Sequence, residues 1–394
     1  MSRAPLHLVV DANIPCAPEA FAGFGQVERV PGEAITPATL AGADVLLVRS
    51  VTRVDEALLG GSPVRFVGSA TIGTDHVDRK YLDEAGISFA HAPGSNAQSV
   101  VEYVLAALLV AGARRGAVLR DQTVGVVGCG HVGGALGARL EALGARVLRN
   151  DPPRAEAAEA AGLPHDFVPL ATVLAAADVV TLHPPLTHSG PHPTYHLIGA
   201  AELAAMRPDA LLVNASRGAV VDNAALRDAL EAGRIGSAVL DVWEHEPTPD
   251  PGLLRLAAVA TPHIAGYSLD GKVTGTAMLH DALAEWLGAP VTWDAERALA
   301  EKAAALAPLA PPDPGLPETA YLDALARQAY DLRADDARMR GLLDLPAPER
   351  GAAFHRLRRT YPRRFGWARH RIAAEAVPPG LRTSVAEGLG LALG

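Results

Sequence analysis

Cysteine is nearly missing from this 394-residue chain: Cys16 and Cys129 are the two, far apart. So few thiols exclude a disulfide framework and any zinc-finger spacing, and they suit a reducing compartment, the cytoplasm. No metal-ligand spacing stands out among the 14 histidines, so no metal is expected. Positive charge is also short: the formal net charge is −9 and the pI about 5.9. Nucleic-acid binding needs clustered cations and is not expected, although a few local arginines could still hold a small anion. The N-terminus MSRAPLHLVVDANIP lacks the long apolar core of a secretory signal. The most apolar run, VEYVLAALLVAGA, is too short to span a bilayer and carries Glu102 near its start. It reads as a buried helix, and no membrane partner is expected. Solenoid-type repeats are missing as well.

What is present is a globular composition, 49% hydrophobic and 20% charged, in a chain long enough for two or three domains. Short apolar runs alternate with Ala/Leu/Glu-rich segments. LHLVV, DVLLVRS, VRFVGSA and ISFAHA read as one series of strands. TVGVVGCG, ARVLRND, DVVTLHPP, ALLVNAS and GSAVLDV read as a second. Continuous apolar strands separated by helices predict α/β architecture with two doubly wound parallel sheets. LAPLAPPDPGLPE then marks a boundary, followed by helical segments and the basic stretch HRLRRTYPRRFGWARHR.

The second series opens on Gly128-Cys129-Gly130-His131-Val132-Gly133, a G-x-G-x-x-G turn between strand and helix. Gly128 permits the tight turn. Gly130 lets the backbone approach a pyrophosphate, and Gly133 lets the helix lie close on the strand. Asp151 closes the next strand, where such a turn has an acid for the ribose hydroxyls. An acid there would repel a 2′-phosphate, so NAD is the expected cofactor. Arg149 and Arg154 stand nearby and leave NADP open.

Three strand-end stretches follow: NASRGAVVD with Arg217, LDVWEHEP with Asp241 and Glu246, and TPHIAGYS with His263. Behind a dinucleotide turn, this set suits hydride removal from an alcohol beside a carboxylate. A histidine can take the hydroxyl proton near neutral pH. A carboxylate beside it fixes the tautomer and stabilises the imidazolium. An arginine binds a substrate carboxylate with two prongs. Arg217, Glu246 and His263 are therefore the candidate catalytic residues, with His245 as a competing base. Taken singly, each also reads as an ordinary surface or turn residue, and their weight comes from occurring together.

GCGHVG, NASRGAVVD, LDVWEHEP and TPHIAGY together resemble the D-isomer-specific 2-hydroxyacid dehydrogenases. VDANIP, VRSVTRV, FVGSATIGTDHVD, APGSNAQSVVEYV, NDPPRA and the tail stretch YDLRADDARMR are similar to one branch of that family. The resemblance implies a Rossmann NAD domain, 97–266, inserted in a flavodoxin-like substrate domain, 1–96 and 267–290. It also implies a C-terminal α+β dimerisation domain, 291–394, and a homodimer. Domains of that kind close around substrate and exclude water. The implied substrate is a small phosphorylated hydroxy acid. By motif match His263 is the acid/base, Glu246 its partner and Arg217 the carboxylate ligand. Gly128, Gly130, His131, Val132, Gly133, Asp151, Ala215, Ser216, Arg217, Asp241 and Gly266 are the implied cofactor contacts, and Ser50, Thr71 and Tyr267 the implied substrate contacts.

The sequence departs from the family at Pro184, where a threonine is expected; proline can donate neither an amide nor a hydroxyl hydrogen. Ser216 stands where a cysteine is common. For the substrate phosphate, Arg49 is the first candidate and Arg53 lies nearby. The helix start after Ser95 and Asn96 is a second candidate. The basic stretch Arg356–Arg371 is a third, although it reads more readily as a solvated face. Two other readings stay open: a relative acting on 3-phosphoglycerate or glyoxylate, and a non-catalytic NAD-sensing scaffold.

Overall fold

The apolar runs form strands, and among the described residues every strand pairing is parallel. In the first series β1 (Leu6–Asp11), β2 (Gly25–Val30), β3 (Val45–Val48), β4 (Phe66–Ser69) and β5 (Ser88–His91) make a sheet of order β2-β1-β3-β4-β5. Side chains alternate across it, as the two-residue period of a strand requires. Val9, Leu46, Val48 and Val67 enter one core, while Leu8, Val10, Val45, Leu47 and Phe66 enter the other. The second core also takes Leu279 and Leu283 from the helix Leu269–Leu287, so a late piece of chain completes an early sheet. The computed structural model describes residues 5–394, with only the backbone of Arg115; the first four residues of the N-terminal stretch read above lie outside it.

The second series gives β6 (Thr123–Val127), β7 (Arg146–Asn150), β8 (Val179–Leu182), β9 (Leu211–Asn214), β10 (Ser237–Leu240) and β11 (Val259–Ala260). Their order is β11-β10-β9-β8-β6-β7, and a lone parallel bridge from Arg149 to Phe167 marks a further pairing on the β7 side. The order reverses between β6 and β8, and such a switch point is where open α/β sheets bind ligands, at the carboxyl ends of the strands. The glycine turn follows β6 directly.

By contacts the chain divides into two units. One comprises the chain up to Asn96 together with Tyr267–Ala305; the other comprises Ala97–Gly266 together with Leu306–Gly394. The sequence reading set 291–394 apart as a domain. In the structure, residues 306–394 cluster with the second unit. Met339, Leu342, Ala353 and Phe354 are buried in the same core as Leu182, Leu212 and Leu240. Helices Leu332–Arg340 and Ala347–Arg359 thus place part of their apolar faces in that core. Strands β12 (Arg371–Ile372) and β13 (Ala392–Leu393) pair within this tail.

The run VEYVLAALLVAGA lies in a 19-residue helix, Ala97–Arg115. That is longer than the sequence reading allowed, and in length and apolarity the helix would suffice to cross a bilayer. Of its window Ala97–Arg114, 78% is buried inside the protein, with Tyr103, Val104 and Leu105 fully enclosed. Burial, rather than shortness, makes it a core helix.

Candidate active site

The glycine turn has the shape its sequence implied. Gly128 sits at φ 85°, and a side chain there would meet the Pro184 nitrogen at 2.6 Å. Pro184 is buried against the turn, so its role there is packing. A Cβ on Gly133 would lie 2.0 Å from the Gly128 carbonyl oxygen, which is why the helix His131–Ala142 can rest on β6. A Cβ on Gly130 would meet nothing within 4 Å, and no side chain caps the helix. The first amides of the helix therefore face an open side, the cradle a pyrophosphate needs. His131 and Val132 form its first turn.

Asp151 lies just past β7. Its Oδ2 accepts from the Cys129 N–H at 2.8 Å and its Oδ1 from the Arg154 N–H at 3.2 Å, so it ties the glycine turn to the next helix. The side chain of Arg149 is engaged by Glu141 at 2.8 Å and Asp166 at 2.9 Å. With its guanidinium occupied, Arg149 is a weak candidate for a 2′-phosphate, and the turn with its acid fits NAD. Burial, with Asp151 adding to it, pushes the Cys129 thiol up to about 11, so it is no nucleophile at neutral pH.

Arg217, Asp241 and Glu246, and His263 follow the ends of the adjacent parallel strands β9, β10 and β11. Sequence order thus becomes spatial order. At the first end, Asn214 Oδ1 accepts from the Ser216 N–H and hydroxyl, and Asn214 Nδ2 donates to the Arg217 carbonyl. The Arg217 side chain donates to the Ser216 carbonyl at 2.9 Å. Ala215 and Ser216 lie in this loop.

Asp241 is 1% exposed. Its carboxylate accepts from Thr261 Oγ1 at 2.6 Å, the Ile264 N–H at 2.8 Å and the Ala265 N–H at 2.9 Å. This carboxylate, expected from sequence to line the cofactor, is spent on the turn that carries His263. Burial raises its pKa, against the pull of His263 and those donors. The turn needs such holding. His263 sits at φ 58°, a left-handed conformation costing on the order of 1–3 kcal/mol for a non-glycine residue. Gly266 ends it.

His263 Nδ1 lies 2.8 Å from Glu246 Oε2, and Glu246 Oε1 accepts from the Trp243 N–H at 3.0 Å. Burial works to raise the Glu246 pKa. His263, the Trp243 amide and Arg358 outweigh it and hold the carboxyl below its ordinary range. With Nδ1 committed to the carboxylate, Nε2 is the ring nitrogen outside that pair. His245, the competing base, is exposed on the same loop, and Glu246 pairs with His263 instead.

In the first unit, Ser50 is exposed just past β3. Thr71, just past β4, shares a 2.7 Å hydrogen bond with Ser69 and donates to the Gly73 carbonyl at 2.8 Å. Arg49 lies over the Tyr267 ring at 5.7 Å, whereas Arg53 points its exposed side chain to Asp55 at 2.8 Å. The structure adds Lys272, 4.6 Å from the same ring centroid. Sequence reasoning passed over it because a lone lysine in a helix's first turn carries no motif.

The basic stretch divides. Arg356, Arg359, Arg363 and Arg371 are exposed, Arg358 acts on Glu246, and Arg364 is buried. His196, Asp222 and Glu244 also bring one potential ligand atom each within 4.8 Å of the others. They are too far apart in sequence for a spacing pattern. His196 is 2.6 Å from Glu244, whose other oxygen accepts from the Asn223 N–H, so the trio reads as a latch between loops.

A dinucleotide turn and a His–Glu pair at the carboxyl ends of one parallel sheet define an NAD-dependent dehydrogenase of the D-isomer-specific 2-hydroxyacid class. The family model for the D-isomer specific 2-hydroxyacid dehydrogenase NAD binding domain matches residues 106–265. Over 388 residues the chain is 55% identical to the erythronate-4-phosphate dehydrogenase of Salinibacter ruber, spanning 98% of this chain and 99% of the relative. The enzyme of that name from Pseudomonas aeruginosa is 50% identical over 359 residues, 91% of this chain and 93% of its own. The chain belongs to the erythronate-4-phosphate dehydrogenase family.

Among solved structures, the TT0316 protein of Thermus thermophilus is similar with a TM-score of 0.60 and 29% identity, over 72% of this chain and 98% of that one. A D-lactate dehydrogenase from Aquifex aeolicus, complexed with NAD and lactic acid, shares the fold with a TM-score of 0.58 at 23% identity, over 72% of this chain and 95% of its own.

Proposed function

We propose that the chain oxidises 4-phospho-D-erythronate to (R)-3-hydroxy-2-oxo-4-phosphobutanoate with NAD, in pyridoxal 5′-phosphate (vitamin B6) biosynthesis. The observation that carries this reading is the 2.8 Å His263–Glu246 pair, in a chain 55% identical over nearly all its length to a relative named for that substrate.

NAD held at the glycine turn would supply the hydride acceptor for substrate C2. Nε2 of His263 takes the proton of the C2 hydroxyl as that hydride leaves. Glu246 holds the ring by Nδ1 and stabilises the imidazolium that forms. Arg217 grips the substrate carboxylate and polarises the reacting oxygen. Asp241 serves by fixing the His263 turn, while Gly128, Gly130, His131, Val132, Gly133, Asp151, Ala215, Ser216 and Gly266 form the cofactor contacts. Ser50, Thr71 and Tyr267 contact the substrate. Arg49 meets its phosphate, and Lys272, beside the same Tyr267 ring, adds a second positive charge.

The substrate-binding role belongs to 1–96 and 267–290, NAD binding to 97–266, and a homodimer contact to the tail. Two free cysteines suit a cytoplasmic enzyme. The test is turnover by the purified protein with NAD and a 2-oxo acid acceptor, comparing 4-phosphoerythronate, erythronate, 3-phosphoglycerate and lactate. Preference for 4-phosphoerythronate is expected. Equal or better turnover of 3-phosphoglycerate would reject the assignment, and NAD binding without turnover of any of them would reject an enzyme.

A further inference from the structure

The turn carrying His263 is gripped from two sides. From within the sheet, the Asp241 carboxylate accepts from the Ile264 and Ala265 amides. From the tail, Arg364 Nη2 donates to the Ala265 carbonyl at 2.8 Å. Ala265 is thus held at both its N–H and its C=O, two residues past a histidine in a left-handed conformation. A residue in that conformation persists only where its surroundings over-determine it.

Arg364 is an expensive device for one hydrogen bond. It is 6% exposed, and its Nε and Nη1 have no hydrogen-bond partner among the described residues. Its guanidinium lies 4.0 Å over the ring of Tyr330, and the hydroxyls of Tyr330 and Tyr361 both donate to Asp335 Oδ2, at 2.9 and 2.8 Å. This frame fixes where the fork can point.

Neighbouring tail residues hold the strand leading into the same turn. Asp336 accepts from the Ala260 N–H at 2.8 Å, and Arg340 donates to the Ala257 carbonyl at 2.6 Å.

We propose that the C-terminal segment is a positioning element for the proton acceptor, with Arg364 as the clamp that sets the His263 turn. Arg364 is a positioning residue acting through His263, and the inference rests on His263 being the base. Removing the clamp lets the turn relax and misaligns Nε2 with the substrate hydroxyl, a displacement to which proton and hydride transfer are sensitive. NAD binding, built mainly on the glycine turn, changes little.

The test compares Arg364→Lys, Arg364→Met, His263→Ala and the double variant His263→Ala/Arg364→Lys, with 4-phosphoerythronate and NAD. Arg364→Lys keeps the buried charge and loses the planar fork, so it guards against simple unfolding. The expected result is a tenfold or greater fall in kcat for both single Arg364 variants, with the NAD dissociation constant within about twofold of the parent. Millimolar guanidinium should restore part of the Arg364→Met rate. In the His263→Ala background Arg364→Lys should cost nothing more, because a clamp acting through an absent base has nothing to align.

A folded Arg364→Lys protein with parental kcat would overturn the clamp. So would a double variant whose loss is the product of the single losses, which is what a merely structural residue gives. If His263→Ala itself keeps near-normal turnover, the assignment of the base fails instead, and the two failures are distinct.

Discussion

The two parallel sheets end in very different edges. In the second unit, the carboxyl ends of β9, β10 and β11 carry a dense network, buried at Asp241 and half-buried at His263: Asp241 bonds to Thr261, Ile264 and Ala265, and Glu246 to Trp243 and His263. In the first unit, the ends of β3 and β4 carry exposed Ser50, locally bonded Thr71, and two cations beside a tyrosine ring. One edge is organised before any ligand arrives; the other offers polar groups for a ligand to organise. Preorganised groups act on the reaction barrier, whereas loosely held ones act mainly on binding. The two edges should therefore separate in kinetics, the second moving kcat and the first moving KM.

Arg217→Ala should have the largest effect among these. Removing a two-pronged partner from a buried carboxylate costs about 2–5 kcal/mol, so kcat/KM should fall by roughly 30- to 5,000-fold. A steady-state assay showing a change in KM alone would move Arg217 to the binding side of the comparison.

Glu246→Gln should lower kcat by a smaller factor, roughly 10–100-fold, since the base remains and only its charged hydrogen bond is lost. It also has a pH signature. The Glu246 carboxyl is held below its ordinary range, so its native contacts stabilise the fold fully above about pH 4.3 and lose that contribution as pH falls through the lowered value. The gap in Tm between the parent and Glu246→Gln should therefore narrow as the pH is taken down through that range. A gap independent of pH would show that the pair is not ionic.

Arg49→Ala should have the mildest effect. KM for 4-phosphoerythronate should rise on the order of tenfold, with kcat and the use of unphosphorylated erythronate unchanged, the loss of one charged hydrogen bond at the weak end of its range, roughly 1.5 kcal/mol. Unchanged discrimination between the two substrates would remove Arg49 from the phosphate and leave Lys272 as its partner.

These edges were not equally legible. GCGHVG could be read because one continuous stretch dictates its own backbone: Gly128 at φ 85° and Gly133 against the Gly128 carbonyl follow from residue type. That the loops of Arg217, Glu246 and His263 follow neighbouring strands could be anticipated, because parallel strands turn chain order into adjacency. Nothing local marked Asp241 as the residue holding the His263 turn, since its partners at 261, 264 and 265 arrive on another strand. The tail was harder still. HRLRRTYPRRFGWARHR reads as uniformly basic, and which arginine is buried depends on Tyr330 and on a carbonyl 99 residues away. Its merging with the second core was hidden for the same reason: an amphipathic helix announces an apolar face but not what will cover it.

The most direct test of the divided labour is the turnover of His263→Ala beside that of His245→Ala, each saturated with NAD and 4-phosphoerythronate. The Glu246 pairing predicts that kcat falls by roughly two to four powers of ten in His263→Ala, while His245→Ala keeps parental turnover. Near-normal kcat in His263→Ala, or the loss appearing in His245→Ala instead, would contradict it.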